Sequence, residues 1–210
     1  MASSDTPRSD APGPQASETQ ASGPQASGTE PFDVVLFPDP VLRKETQDVE
    51  AFDGALEETV QRMFAAMYES RGVGLAAPQV GLSQRVFVLN DEGDSDKPEL
   101  SLALINPTIE SFAGKKTRHE EGCLSLPGVY AEVSRPERCT VRFHDLQGNE
   151  RVEEFEGFRA RIVQHEYDHL QGVLLVDRMT PSDKQRNRGA VEELKDAYRR
   201  HLAALAEESE

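Results

Sequence analysis

Five residues, His165-Glu166-Tyr167-Asp168-His169, tie their segment to one backbone form if they work together. Imidazoles at positions i and i+4 stand one turn apart on one face of an α-helix, where they can share a metal ion. Glu166 sits beside the first imidazole without being a ligand in this pattern. A carboxylate so placed can take a proton from metal-activated water and pass it to a leaving group. The competing reading is a histidine-bearing amphipathic helix without metal, and the five residues alone do not decide between the two.

The flanking sequence supports such a helix over 158–170 and places it among strands. Upstream, Leu56, Val60, Met63, Phe64 and Met67 recur at helical spacing, which predicts a core-packing helix within 51–70. It stops at Arg71-Gly72-Val73-Gly74, where two glycines relax the backbone and admit close approach of a chemical group. Strand-like runs follow at 85–90, 103–107 with 108–112, 130–134 and 139–144, and 152–155 resumes the alternation after a turn at 146–150. Segments 139–144 and 152–155 therefore read as a hairpin. A further helix is expected across 182–206, marked by Ala190, Leu194, Ala197, Tyr198, His201 and Leu205. The fold class is α+β: mostly antiparallel sheets around a central metal-binding helix, closed by a C-terminal helix.

Residues 1–31 are of a different kind. Gln-Ala-Ser recurs at Gln15, Gln20 and Gln25 in a background of Ala, Ser, Pro, Gly and Thr. Such composition cannot bury a core, so 1–31 reads as a disordered tail and 32–210 as one catalytic domain. The 210 residues carry 38 acidic against 23 basic side chains, a formal charge of −15, which repels phosphate backbones and argues against specific nucleic-acid binding. No run approaches the roughly 18 apolar residues of a membrane helix, and no secretory apolar core follows Met1. Asp5, Asp10, Glu18 and Glu30 against Arg8 alone do not resemble an organellar transit peptide, so a cytoplasmic location is expected.

A third ligand decides what such a site does. Downstream of His169, the residues Asp177, Asp183, Glu192, Glu193, Asp196 and His201 fall in no recognisable ligand motif. Upstream stands Glu121-Gly122-Cys123-Leu124-Ser125, a non-periodic run suited to exposing a sulfur at a site edge. Two cysteines make no disulfide framework. Cys123 can also be read as a small buried hydrophobe, as Cys139 is in mid-strand.

Three segments together resemble the peptide deformylase family: Gly72-Val73-Gly74-Leu75-Ala76-Ala77-Pro78-Gln79, Glu121-Gly122-Cys123-Leu124-Ser125, and Gln164-His165-Glu166-Tyr167-Asp168-His169-Leu170-Gln171-Gly172. They come in the family's order with similar separations, and the resemblance runs from about Phe32 to the C-terminal helix. It implies one divalent metal held by Cys123, His165 and His169, with Fe2+ first and Zn2+, Ni2+ or Co2+ as alternatives; a Cys-His-His set suits zinc by ligand softness as well. It further implies that hydroxide on the metal attacks the formyl carbon, with Glu166 as general acid/base. Gln79 and the backbone N–H of Leu124 would bond the developing oxyanion.

By the same resemblance Val73, Gly74, Glu121, Gly122, Phe158 and Ile162 form the substrate site, Val73, Phe158 and Ile162 taking the methionine side chain. Gly74 and Gly122 are expected to let an extended peptide lie against the backbone. The implied reaction removes the formyl group from N-formylmethionyl nascent peptides and releases formate. A monomer is expected, with the C-terminal helix offering a surface to the ribosome near the exit tunnel. A metallopeptidase or a non-catalytic metal-stabilised module are the alternatives, and Cys123, Gln79 and Glu166 speak against them. Two secondary residues keep two readings: Asp168 either pairs with Arg135 or caps the solvent side of its helix, and His119 either nears the pocket rim or is a surface imidazole.

Overall fold

Helix α1, Gly54–Glu69, forms where the apolar spacing predicts it: Leu56, Val60, Met63, Phe64 and Met67 are all buried. Asp53 caps it by accepting the Ala55 and Leu56 N–H groups at 3.0 and 3.1 Å. This helix belongs to the computed structural model of the chain, which describes residues 30–208. The tail expected at 1–31 lies outside the described residues except for its last two.

Five strands follow, each antiparallel to its neighbour in sequence: β1 Gly74–Ala76, β2 Val86–Leu89, β3 Leu102–Glu121, β4 Ala131–His144 and β5 Glu150–Glu156. The hairpin expected of 139–144 and 152–155 is present, with Cys139 opposite Phe155 and Val141 opposite Glu153. The runs 103–107 and 108–112 are one strand rather than two. Asn106, at φ 51°, bends it at a register shift, while its side chain accepts the Val49 N–H and donates to the Val49 carbonyl. β3 then continues through the polar stretch to Glu121, and β4 likewise joins the runs at 130–134 and 139–144 through Pro136. Neither extension alternates apolar and polar residues. The ladder between the two strands, from Ala113 opposite Arg138 to Glu121 opposite Ala131, sustains them instead.

Helix α2, Gly157–Leu170, packs on this sheet through Ala160, Ile162, Val163 and Leu170, against Phe87, Leu89, Leu104, Val141, Phe143 and Phe155. Gln164, Glu166, Asp168 and His169 are buried too, so its polar residues need partners within the protein. The helix expected across 182–206 is two helices. After α3, Leu175–Arg178, come α4, Pro181–Arg186, and α5, Arg188–Glu208, parted at Asn187. The Asn187 amide donates to the carbonyls of Tyr130 at 2.8 Å and Asp183 at 2.9 Å, and a one-residue break of this kind leaves the apolar spacing almost unchanged. Among the described residues no helix is long and apolar enough to cross a membrane. The α+β class, the antiparallel sheet, the central helix and the C-terminal helix agree with the sequence reading.

Candidate active site

The loop leaving β3 brings Cys123 to the face of α2 that carries both imidazoles. Cys123 Sγ lies 3.3 Å from His169 Nε2, and one donor atom from each of Cys123, His165 and His169 falls within 4.8 Å of the others. His165 Nδ1 lies 3.1 Å from Glu121 Oε2. An ionised carboxylate can only accept, so Nδ1 carries the hydrogen and Nε2 keeps the lone pair that a metal needs. Glu121 is ionised: burial alone would raise its pKa, but bonds from His165 and Arg135 hold it well below the usual carboxylate range. Among His165, His169 and Cys123, one soft thiolate and two imidazoles make a donor set that fits a divalent ion.

Behind Glu121 lies a charge network that the sequence reading captured only in part. Arg135 donates from Nε to Glu121 Oε1 at 2.7 Å, from Nη2 to Oε2 at 2.9 Å, and from Nη1 to Asp168 Oδ2 at 2.9 Å. Asp168 therefore pairs with Arg135, and it also accepts two bonds from Arg178. Arg161 donates to Glu121 Oε1 at 2.6 Å. The sequence reading put Glu121 among the substrate contacts, but both its carboxylate oxygens are turned to His165 and the two arginines. Arg161 and Arg178 were missed, although Arg161 precedes His165 by one helical turn, and a cation on an inward face is a readable signal.

Glu166 is buried at the floor of the same region. Burial, opposed by the His165 and Arg135 charges, lifts its pKa to about 7. Its carboxylate lies directly against Gly74. A β-carbon there would stand 2.9 Å from Glu166 Cδ and 2.8 Å from Ile162 Cγ2, so this glycine makes room for the acid rather than only for a peptide. Gly122 is covered too, by the exposed Tyr130 ring 3.0 Å from a built β-carbon. Gln79 Oε1 accepts the Ala76 N–H at 2.8 Å, which fixes the amide so that Nε2 faces Ser125 Oγ at 3.3 Å and Cys123 Sγ at 3.5 Å.

A cleft of about 520 Å³ opens over these groups, lined by Val73, Leu124, Phe158 and Ile162 among others. Phe158 is 58% exposed at its edge. Tyr130, exposed and also lining the cleft, was not singled out in the sequence. The remaining histidines stay apart: His119 is exposed on β3 and outside the cleft, His144 packs on the Phe52 ring, and His201 is exposed on α5. Cys139 is core, its thiol pushed up to about 12 by burial.

A family model described as Polypeptide deformylase matches residues 31–185. The chain belongs to the peptide deformylase family. It is 47% identical over 151 residues to a peptide deformylase of Thermotoga neapolitana, covering 72% of this chain and 88% of that one. It is 40% identical over 168 residues to the chloroplastic/mitochondrial peptide deformylase 1B of Arabidopsis thaliana, covering 80% and 61%. Among solved structures, a Plasmodium falciparum peptide deformylase superposes with a TM-score of 0.78 at 40% identity, covering 80% and 97% of the two chains. A plant peptide deformylase 1B gives 0.80 at 39%, covering 82% and 94%. This deformylase is thus a metal-dependent hydrolase whose family removes the N-formyl group from nascent polypeptides.

Proposed function

We propose that this deformylase hydrolyses the formamide of N-formylmethionyl peptides to formate and a free amine, with Glu166 as its general acid/base. The observation that carries this reading is the buried Glu166 carboxylate lining one cleft together with Cys123 and His165, whose donor atoms His169 joins from α2. A divalent ion held by those three side chains, iron in preference to zinc, nickel or cobalt, supplies Lewis acidity and a water of lowered pKa. Glu166, poised near neutrality, takes a proton on the way to the tetrahedral intermediate and returns it to the departing amine. Gln79 Nε2, already aimed toward Cys123, and the Leu124 N–H donate to the oxygen on which charge develops. β1 is an edge strand, so the backbone around Gly74 can pair with an extended peptide while Val73, Phe158 and Ile162 take the methionine side chain. Gly122 lets the Tyr130 ring lie against the backbone on the far wall.

The same reading takes 32–210 as one catalytic domain behind a solubilising tail at 1–31, acting as a monomer in the cytoplasm. The acidic tail supports that location, whereas the Arabidopsis relative carries organellar names. It also takes α5 as the element that meets the ribosome near the exit tunnel. Unchanged ribosome co-sedimentation after removal of α5 would reject that contact.

The deciding experiment measures formate release from N-formyl-Met-Ala-Ser by enzyme purified without oxygen, beside the N-acetyl analogue. Release from the formyl peptide alone is expected. Glu166→Ala should keep its metal and lose about 10²–10⁴ in kcat, and an active Glu166→Ala enzyme would contradict the assignment.

A further inference from the structure

Arg161 stands one turn before His165 on α2, with its side chain 8% exposed. Its Nη1 donates to Glu121 Oε1 at 2.6 Å and to the Val133 carbonyl at 3.0 Å. Its Nη2 donates to the Thr117 carbonyl at 2.9 Å and hydroxyl at 3.3 Å. Thr117 and Val133 lie on β3 and β4, so one guanidinium ties the ligand-bearing helix to both strands of the ribbon that ends at Glu121. Glu121 Oε1 is thereby claimed by Arg135 and Arg161 together, which leaves Oε2 to Arg135 Nη2 and His165 Nδ1. Arg135 rises from the sheet and is drawn as well to Asp168. Arg161 rises from the same helix as His165 and so fixes the carboxylate relative to the ring it must hold.

We propose that Arg161 is a positioning residue of the metal site: it pins Glu121 Oε1 so that Oε2 stays on His165 Nδ1 and the ring keeps Nε2 toward Cys123 and His169. The assignment rests on reading those three side chains as the ligands. Partners that orient a metal-ligating histidine typically contribute about 10–100-fold to metal affinity. The bonds of Arg161 to Thr117 and Val133 anchor its guanidinium, and its contact with the site runs through Glu121, so its effect on metal affinity must shrink when Glu121 can no longer be held as an anion.

The test is a double-mutant cycle on Zn2+ affinity, measured on the full chain by competition with a chromophoric chelator. Arg161→Met should weaken Zn2+ binding by roughly tenfold or more. In a Glu121→Gln background the same change should add less than about a twofold further loss. Unaltered affinity in Arg161→Met, or an undiminished loss in the Glu121→Gln background, overturns the proposal. Should Arg161→Met not fold, Arg161→Gln, which removes the cation from Glu121 but keeps an amide donor for the strand carbonyls, runs through the same cycle with the same two outcomes. Cys123→Ser serves as the separate control: if it binds Zn2+ as tightly as the parent, the ligand assignment fails, whatever Arg161 does.

Discussion

Glu166 and Gly74 form a pair that neither residue announces by itself. A methyl group at position 74 would press on Glu166 Cδ and Ile162 Cγ2 at under 3 Å, and both residues are nearly fully buried. Gly74→Ala should therefore lower kcat by at least about tenfold, and by no more than the roughly 10²–10⁴ that an acid/base group contributes, while metal content stays unchanged. Steady-state kinetics and metal analysis check it; a loss confined to KM would instead assign Gly74 to peptide binding. At this scale the site was legible wherever chemistry forces a fixed spacing, as at His165, Glu166 and His169. Cys123 and Gln79 became legible through motif resemblance. Glu121 was legible as a position but not as a role, because its partners Arg135 and Arg161 lie 14 and 40 residues away and only the β3–β4 ribbon brings them in.

Among the elements, the junction of α4 and α5 carries a part that helical spacing does not reveal. Asn187 accepts the Tyr130 N–H and donates to the Tyr130 carbonyl, which fixes the start of β4 beside the cleft. Asn187→Ala removes both bonds and leaves the Tyr130 carbonyl only its exposed bond from Arg186, so destabilisation by about 1 kcal/mol is expected in urea melts. α4 is itself closed by reciprocal bonds between Thr180 and Asp183. The Thr180 hydroxyl, with its backbone N–H and the Arg186 charge, holds the Asp183 pKa below its ordinary value. A depressed carboxylate stabilises the fold above its unfolded pKa, about 3.9, and that contribution fades as pH falls through the folded value. Asp183→Asn should thus lower the urea midpoint at pH 7, and the gap from the parent should narrow at pH 3. The sequence announced α1, α2 and the β4–β5 hairpin because each has an apolar face of one period. It hid the length of β3 and β4, whose polar stretches are held by strand pairing and by Arg161 and Arg135 from within rather than by a continuous apolar face.

For the molecule as a whole, the cleft is enclosed before the chain reaches its last turns. Ala190, Val191 and Leu194 of α5 pack beside Leu126, Val129 and Met179, whereas residues 199–207 are exposed. Deleting 199–210 should move unfolding free energy by no more than about 0.5 kcal/mol and leave kcat/KM on a formyl tripeptide unchanged. A fall in kcat/KM would tie the far end of α5 to the site. The sheet order has a consequence of another sort. Among the described residues every strand pairs only with the strand made just before or after it, so a chain emerging from its N-terminus can lay down the sheet vectorially, one ribbon at a time. Both imidazoles arrive afterwards, on α2. The thiol of Cys123 thus waits while the 46 residues up to His169 are made, and the three donors can meet only once α2 has been translated.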